Sequence, residues 1–185
     1  MKIFFDTEFT GLHKNTTLIS IGLIAENGKT FYAELTDYDE SQVDDWIKKN
    51  VIDNLVMKYR DGFYYYITNS ETWVKGDKKK IADYLLEWLS QFETVEWVSD
   101  VCHYDFVLLI DLLYSHALKM PYGKHNAACH DINQDIAKEF GINEIKAFDK
   151  SREEILEVYE VEIDGDKHNA LYDAKVIKAI YDNVT

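Results

Sequence analysis

Two strongly β-prone runs, Thr16–Ala25 (TTLISIGLIA) and Thr30–Leu35 (TFYAEL), are separated only by Glu26-Asn27-Gly28-Lys29. Asn-Gly between such runs is a strong hairpin signal, because both residues accept the left-handed backbone that a tight turn requires. The two runs are therefore expected as antiparallel neighbours. Lys2–Phe5 reads as a third short strand, ending at Asp6.

After Leu35 the period changes. Val43, Trp46, Ile47 and Val51 lie near helical spacing behind Ser41, a fitting N-cap, and Ile81, Leu85, Trp88 and Phe92 recur at helical intervals. Helices are expected over 41–52 and 78–92. Thr94–Ser99 alternates like a strand, Tyr104–Ser115 reads as an apolar helix, and Asn133–Phe140 as a helix stopped by Gly141; a last helix is expected over Asn169–Asn183. Antiparallel strands first, then strands alternating with helices, predict an α/β fold with a mixed sheet flanked by helices. Lys58–Lys75 gives no clear assignment, since turn signals break up a cluster of aromatics.

The 185 residues fit one domain, and 46% hydrophobic with 14% aromatic residues is too apolar for a disordered chain. No apolar run approaches the roughly 18 residues of a membrane span. The opening MKIFFDTEF is too short in apolar residues for a signal peptide. Cys102 and Cys129 allow one bridge at most and His103, His125 and His130 lack a zinc-site spacing with them, so a reducing cytoplasm is expected.

Charge then narrows the function classes. With 34 acidic and 20 basic residues the net charge is −14, unlike proteins that grip phosphates by charge alone. An enzyme that meets phosphates through divalent cations needs the opposite, carboxylates at its centre. The placement of the acids therefore matters more than their sum.

Asp6 and Glu8 stand at i and i+2 where the first strand ends, so one face receives both carboxylates if the chain stays extended through Thr7. Such a pair suits Mg²⁺ or Mn²⁺, although two acids can equally well just end a strand. His168 and Asp173 are five residues apart, about 500° around a helix, so His168 is expected before the helix and Asp173 in its first turns. A loop His is suited to take a proton from water at neutral pH; an exposed His beside a solvated Asp is the plainer reading. Asp105, after Tyr104, opens an otherwise apolar helix and is placed to face the strand ends or simply to complement the helix dipole. Asp100, in the preceding loop, and Asp111, deeper in the helix, compete for its role.

Taken together, Asp6-Thr7-Glu8-Phe9-Thr10-Gly11-Leu12, then Tyr104-Asp105, then His168 and Asp173 resemble the DEDDh branch of the DEDD 3'-5' exonuclease superfamily, across almost the whole chain. The resemblance implies a ribonuclease H-like fold. It also implies a pair of divalent cations, Mg²⁺ or Mn²⁺, held by Asp6, Glu8, Asp105 and Asp173, with Asp6 bridging them and His168 as the general base. Water would attack the terminal phosphodiester of a single-stranded 3' end and release a 5'-mononucleotide. Phe9 stands where many members have Thr, and Asp100 where many have Asn; Phe9 is more like small single-domain exoribonucleases, so RNA is favoured over DNA. Leu12 matches the family's apolar wedge, and Thr7, Phe9, Leu12 and Tyr104 are the expected substrate contacts.

Tyr59, Phe63, Tyr64, Tyr65, Tyr66 and Trp73 are interleaved with Lys58, Arg60 and Lys75, a composition suited to stacking bases but also to a core or a homodimer contact. Lys78–Lys80 open a helix where cations oppose the dipole, either toward phosphate or as a solvated end. Two other classes stay open: a DNA exonuclease of the proofreading or repair type, and a binding module without catalysis, which predicts broken ligands that this chain does not have.

Overall fold

The computed structural model describes residues 1–114 and 124–185, with the backbone alone for Asn126. Its elements are β1 (Lys2–Phe9), β2 (Leu18–Ala25), β3 (Thr30–Leu35), α1 (Asp45–Asn50), β4 (Tyr64–Ile67), β5 (Glu71–Gly76), α2 (Lys78–Ser90), β6 (Val95–Ser99), α3 (Cys102–Tyr114), β7 (His125–Asp131), α4 (Asn133–Glu139), α5 (Glu144–Asp149), α6 (Arg152–Val158) and α7 (Ala170–Val184). The strands form one sheet in the order β4-β5-β3-β2-β1-β6-β7. β1 pairs antiparallel with β2 and parallel with β6, so the expected mixed sheet is present with β1 inside it. The expected hairpin closes through the Ala25 N–H donating to the Lys29 carbonyl at 2.8 Å, with Gly28 at φ +86°.

β1 is buried on both faces, which is why its start reads as a continuous apolar run. Ile3 and Phe5 enter the core shared with α2 and α3, whereas Phe4 enters the core shared with α4, α6 and α7. The strand outlasts that run by four residues, because Asp6 and Glu8 keep their ladder partners Gly22 and Ser20 on β2. Main-chain pairing does not depend on side-chain polarity.

Several boundaries differ from the sequence expectation. The helix expected over 41–52 is a 3₁₀ turn at Glu40–Gln42, then α1, then a second 3₁₀ turn at Ile52–Asn54. Ser41 is not its cap: Asp44 accepts from the Ile47 N–H at 2.8 Å, and the Ser41 hydroxyl bonds Asp39 instead. β7 (HNAACHD) was missed because it has no apolar alternation, yet it pairs parallel with β6. The short helices α5 and α6 were missed too. Ser115, where the expected apolar helix ends, lies outside the described residues.

Lys58–Lys75 contains the edge hairpin β4–β5, with Val74 in the core and Tyr65 and Tyr66 exposed. Lys78 and Lys79 pair with Asp111 and Asp83, and Lys80 lies 3.7 Å from Asp77, so these lysines face acids. Cys102 and Cys129 are free thiols with sulfurs 3.0 Å apart. Among the described residues, no helix is long and apolar enough to cross a membrane.

Candidate active site

Asp6 and Glu8 stand toward the carboxyl end of β1, beside its parallel neighbour β6, and the carboxyl ends of such strands are the usual ligand position of an open α/β sheet. Asp6 and Glu8 alternate with Thr7 and Phe9 along β1, so the two acids share the face covered by α7. Thr7 and Phe9 look toward α3: the Thr7 hydroxyl donates to Asp105 at 2.5 Å and the Phe9 ring stacks on Tyr104 at 5.4 Å. The chain stays extended through Thr7, as the i, i+2 reading required.

Asp105 comes from the first turn of α3 and is 1% exposed. Ser99, the last residue of β6, donates to its second oxygen at 2.9 Å. Asp173 lies in the first turn of α7, whose N-cap Asn169 accepts from the Leu171 and Tyr172 N–H groups at 3.2 Å each. His168 stands just before the helix with φ +64°, a left-handed backbone uncommon outside glycine. Its main-chain N–H donates to Asp173 Oδ2 at 2.9 Å, and its ring Nδ1 lies 3.9 Å from Glu8 Oε1. The turn thus sets the imidazole between Glu8 of β1 and Asp173 of α7.

The acids come together as two clusters, Glu8 with His168 and Asp173, and Asp6 with Asp105 and Asp100, ligand atoms within 4.8 Å in each. For Asp6, Glu8, Asp105 and Asp173, burial is the leading cause of the shifted acidity, and repulsion from neighbouring acids adds to it. Glu8 is pushed up to about 8 by burial, then by Asp173 and Asp105. Asp105 and Asp173 are each pushed up to about 7, burial first, against the hydrogen bonds from Thr7 and His168 respectively. Asp6 is held well above the usual carboxylate range by burial and by Asp105, Asp173 and Glu8. Its Oδ2 is buried without a hydrogen-bond partner. A buried, unpartnered oxygen among four oxygen donors that repel one another is the arrangement a hard divalent cation relieves, so these residues fit such a group. Burial and Lys167 lower the His168 pKa, which leaves its ring neutral at pH 7.

Three residues qualify the sequence reading. Asp100, set beside Asp105 as a competitor, is part of the cluster, with Oδ2 held by Arg152 Nε at 2.9 Å. Nothing local announces that pair, whose members are 52 positions apart. Trp46, assigned to an apolar helix face, is 55% exposed and meets the His168 ring edge-on at 5.2 Å, while its neighbour Ile47 goes into the core. Adjacent helical residues cannot face the same side. Thr7, an expected substrate contact, is buried and its hydroxyl donates to Asp105. Asp111 lies away from the site, on Lys78. Leu12 is 74% exposed on the loop after β1.

Comparison with known proteins bears on the family and the fold. Two relatives from Mycobacterium tuberculosis, each described as a 3'-5' exoribonuclease, one of them Rv2179c, are 38% identical over 55 residues, 30% of this chain and 33% of theirs. The match thus spans about a third of those relatives' length. Among solved structures, S. pombe Pop2p in its Mg²⁺- and Mn²⁺-bound form superposes with a TM-score of 0.63 at 16% identity, covering 99% of this chain and 82% of Pop2p. A 3'-exonuclease described in 3'-end specific recognition of a histone mRNA stem-loop gives 0.65 at 12% identity, covering 97% and 61%. These likenesses establish the ribonuclease H-like fold. The model of the Rv2179c-like 3'-5' exoribonuclease domain matches residues 1–185, and the chain belongs to that family.

Proposed function

We propose that this chain, working as one domain, is a divalent-metal-dependent 3'-5' exoribonuclease on single-stranded RNA that releases 5'-mononucleotides. The observation that carries this reading is the buried carboxylate cluster of Asp6, Glu8, Asp105 and Asp173 with His168 at its rim. Asp6, Glu8, Asp105 and Asp173 would hold two cations, Mg²⁺ or Mn²⁺, which when bound activate water and offset charge on the attacking and leaving oxygens.

The protein's own groups do the rest. His168, neutral at pH 7 and fixed by its left-handed turn, accepts the proton of the attacking water at a ring nitrogen. The Phe9–Tyr104 stack and the exposed Leu12 offer apolar surface to the terminal base, and Trp46 walls the imidazole on its open side. The family description supports RNA as the substrate. The same description supports attack at a 3' end rather than at an internal phosphodiester.

The test is digestion of a 5'-labelled single-stranded RNA and a matched DNA with Mg²⁺ or Mn²⁺, beside EDTA. One-nucleotide shortening from the 3' end of RNA, abolished by EDTA, is the expected result. Faster digestion of the DNA would reassign the substrate, and internal cuts would reject exonuclease action.

A further inference from the structure

A buried carboxylate unrelated to the cluster lies two strands away. Glu34 of β3 is 1% exposed in the interior of the sheet, an expensive place for an acid. By register it occupies the cross-strand row of Glu8 and Ser20, while Tyr32 occupies the row of Asp6 and Gly22. Both rows face α7. Glu34 Oε1 accepts from the Tyr32 hydroxyl at 3.0 Å and from the Met57 N–H at 2.7 Å. Its Oε2 has no hydrogen-bond partner.

The Tyr32 proton is used on Glu34, which leaves the hydroxyl oxygen free to accept. It does so from Asn169 Nδ2 at 3.4 Å. That bond sets which end of the Asn169 amide faces the helix, so that its oxygen caps α7 through Leu171 and Tyr172. Asn169 directly follows His168, whose left-handed backbone is strained and persists only when its surroundings over-determine it. Asn54 holds the other side of the turn through the Lys167 carbonyl at 3.2 Å.

We infer that Tyr32 and Glu34 are positioning residues, acting through Asn169 to hold the His168 turn so that its imidazole faces Glu8. The inference rests on the exoribonuclease reading only for its kinetic consequence; the positioning itself is a property of the free protein. A hydrophobic residue at position 34 would fill the same space without burying a charge, so the acid is accounted for by what it orders.

The test uses Tyr32→Phe, which removes one oxygen and keeps the ring. On single-stranded RNA it is expected to lower kcat roughly tenfold to a hundredfold with KM little changed, the effect of a displaced reacting group. In a His168→Ala background the same substitution is expected to cause no further loss, whereas a general structural defect would multiply the two effects. Glu34→Leu is expected to match Tyr32→Phe. Glu34→Gln, whose carboxamide oxygen still accepts from both Tyr32 and Met57, is expected to restore most of the rate.

Amide hydrogen exchange over residues 166–173 reads the turn without substrate. Faster exchange there in Tyr32→Phe, with the sheet still protected, supports the positioning role even if the protein degrades no RNA, a result that would count against the activity alone. Unchanged exchange in that segment, or multiplicative losses in the double variant, would overturn the inference.

Discussion

Gly22 faces Asp6 across the β1–β2 ladder, and the space left by its missing side chain is filled by Ala170 at the start of α7. A Cβ at Gly22 would stand 2.3 Å from the Ala170 carbonyl and the Leu171 nitrogen. The contact brings the helix bearing Asp173 down onto the strand bearing Asp6 and Glu8. Gly22→Ala should therefore push the first turn of α7 outward, costing about 1–3 kcal/mol by overpacking. RNA turnover should fall at least about tenfold through the displaced Asp173. Thermal melting and steady-state rates check both.

Replacing any of Asp6, Glu8, Asp105 or Asp173 by its amide should abolish turnover while the circular dichroism spectrum stays native. For Asp6→Asn, melting of the metal-free protein should move upward, since a buried acid repelled by Asp105, Asp173 and Glu8 is removed. A lowered melting temperature would argue that Asp6 stabilises the apo fold.

The pH dependence of stability has a definite sign. Glu8, Asp105 and Asp173 are raised in the folded protein to about 8, 7 and 7, above their unfolded values, so the folded state binds more protons across that interval. Their contribution is present in full below the unfolded carboxylate range, about pH 4, and is lost as pH rises through the folded values, between about pH 4 and 8. Metal-free protein should melt at progressively lower temperature over that window. Added Mg²⁺ or Mn²⁺ should recover stability at pH 8 by replacing the protons as counter-charge. Melting curves with EDTA and with each cation test this.

His168→Ala should lower kcat by about 10² to 10⁴, the usual general-base contribution, with KM nearly unchanged. A loss below tenfold would assign proton removal to another group.

Trp46→Ala opens the side of the imidazole that the indole now walls. Because the ring is 55% exposed, stability should change by less than about 1 kcal/mol, while KM for RNA rises several-fold. Titration calorimetry with a short RNA and the Asp6→Asn protein separates binding from turnover.

Much of this was legible along the chain because it is local. The β2–β3 hairpin follows from Asn27-Gly28, the shared face of Asp6 and Glu8 from the two-residue period of a strand, and the position of His168 outside α7 from the helical angle to Asp173. The family pattern tied Asp105 to them. β7 was illegible because the parallel sheet, rather than its own composition, makes HNAACHD a strand. The capping of α1 was misassigned to Ser41 because two aspartates, Asp39 and Asp44, lie within three residues of it and compete for the same role.

What the sequence determined by itself is which residues are candidates for the chemistry, since strand and helix periodicity and a family pattern are read along the chain. The tertiary structure alone decided their surroundings: Asp100 joining the cluster on Arg152, Trp46 turning outward onto His168, and buried Glu34 linked to Asn169 through Tyr32. These are contacts between segments tens of residues apart, created when the helices settle on the sheet. No local pattern encodes them.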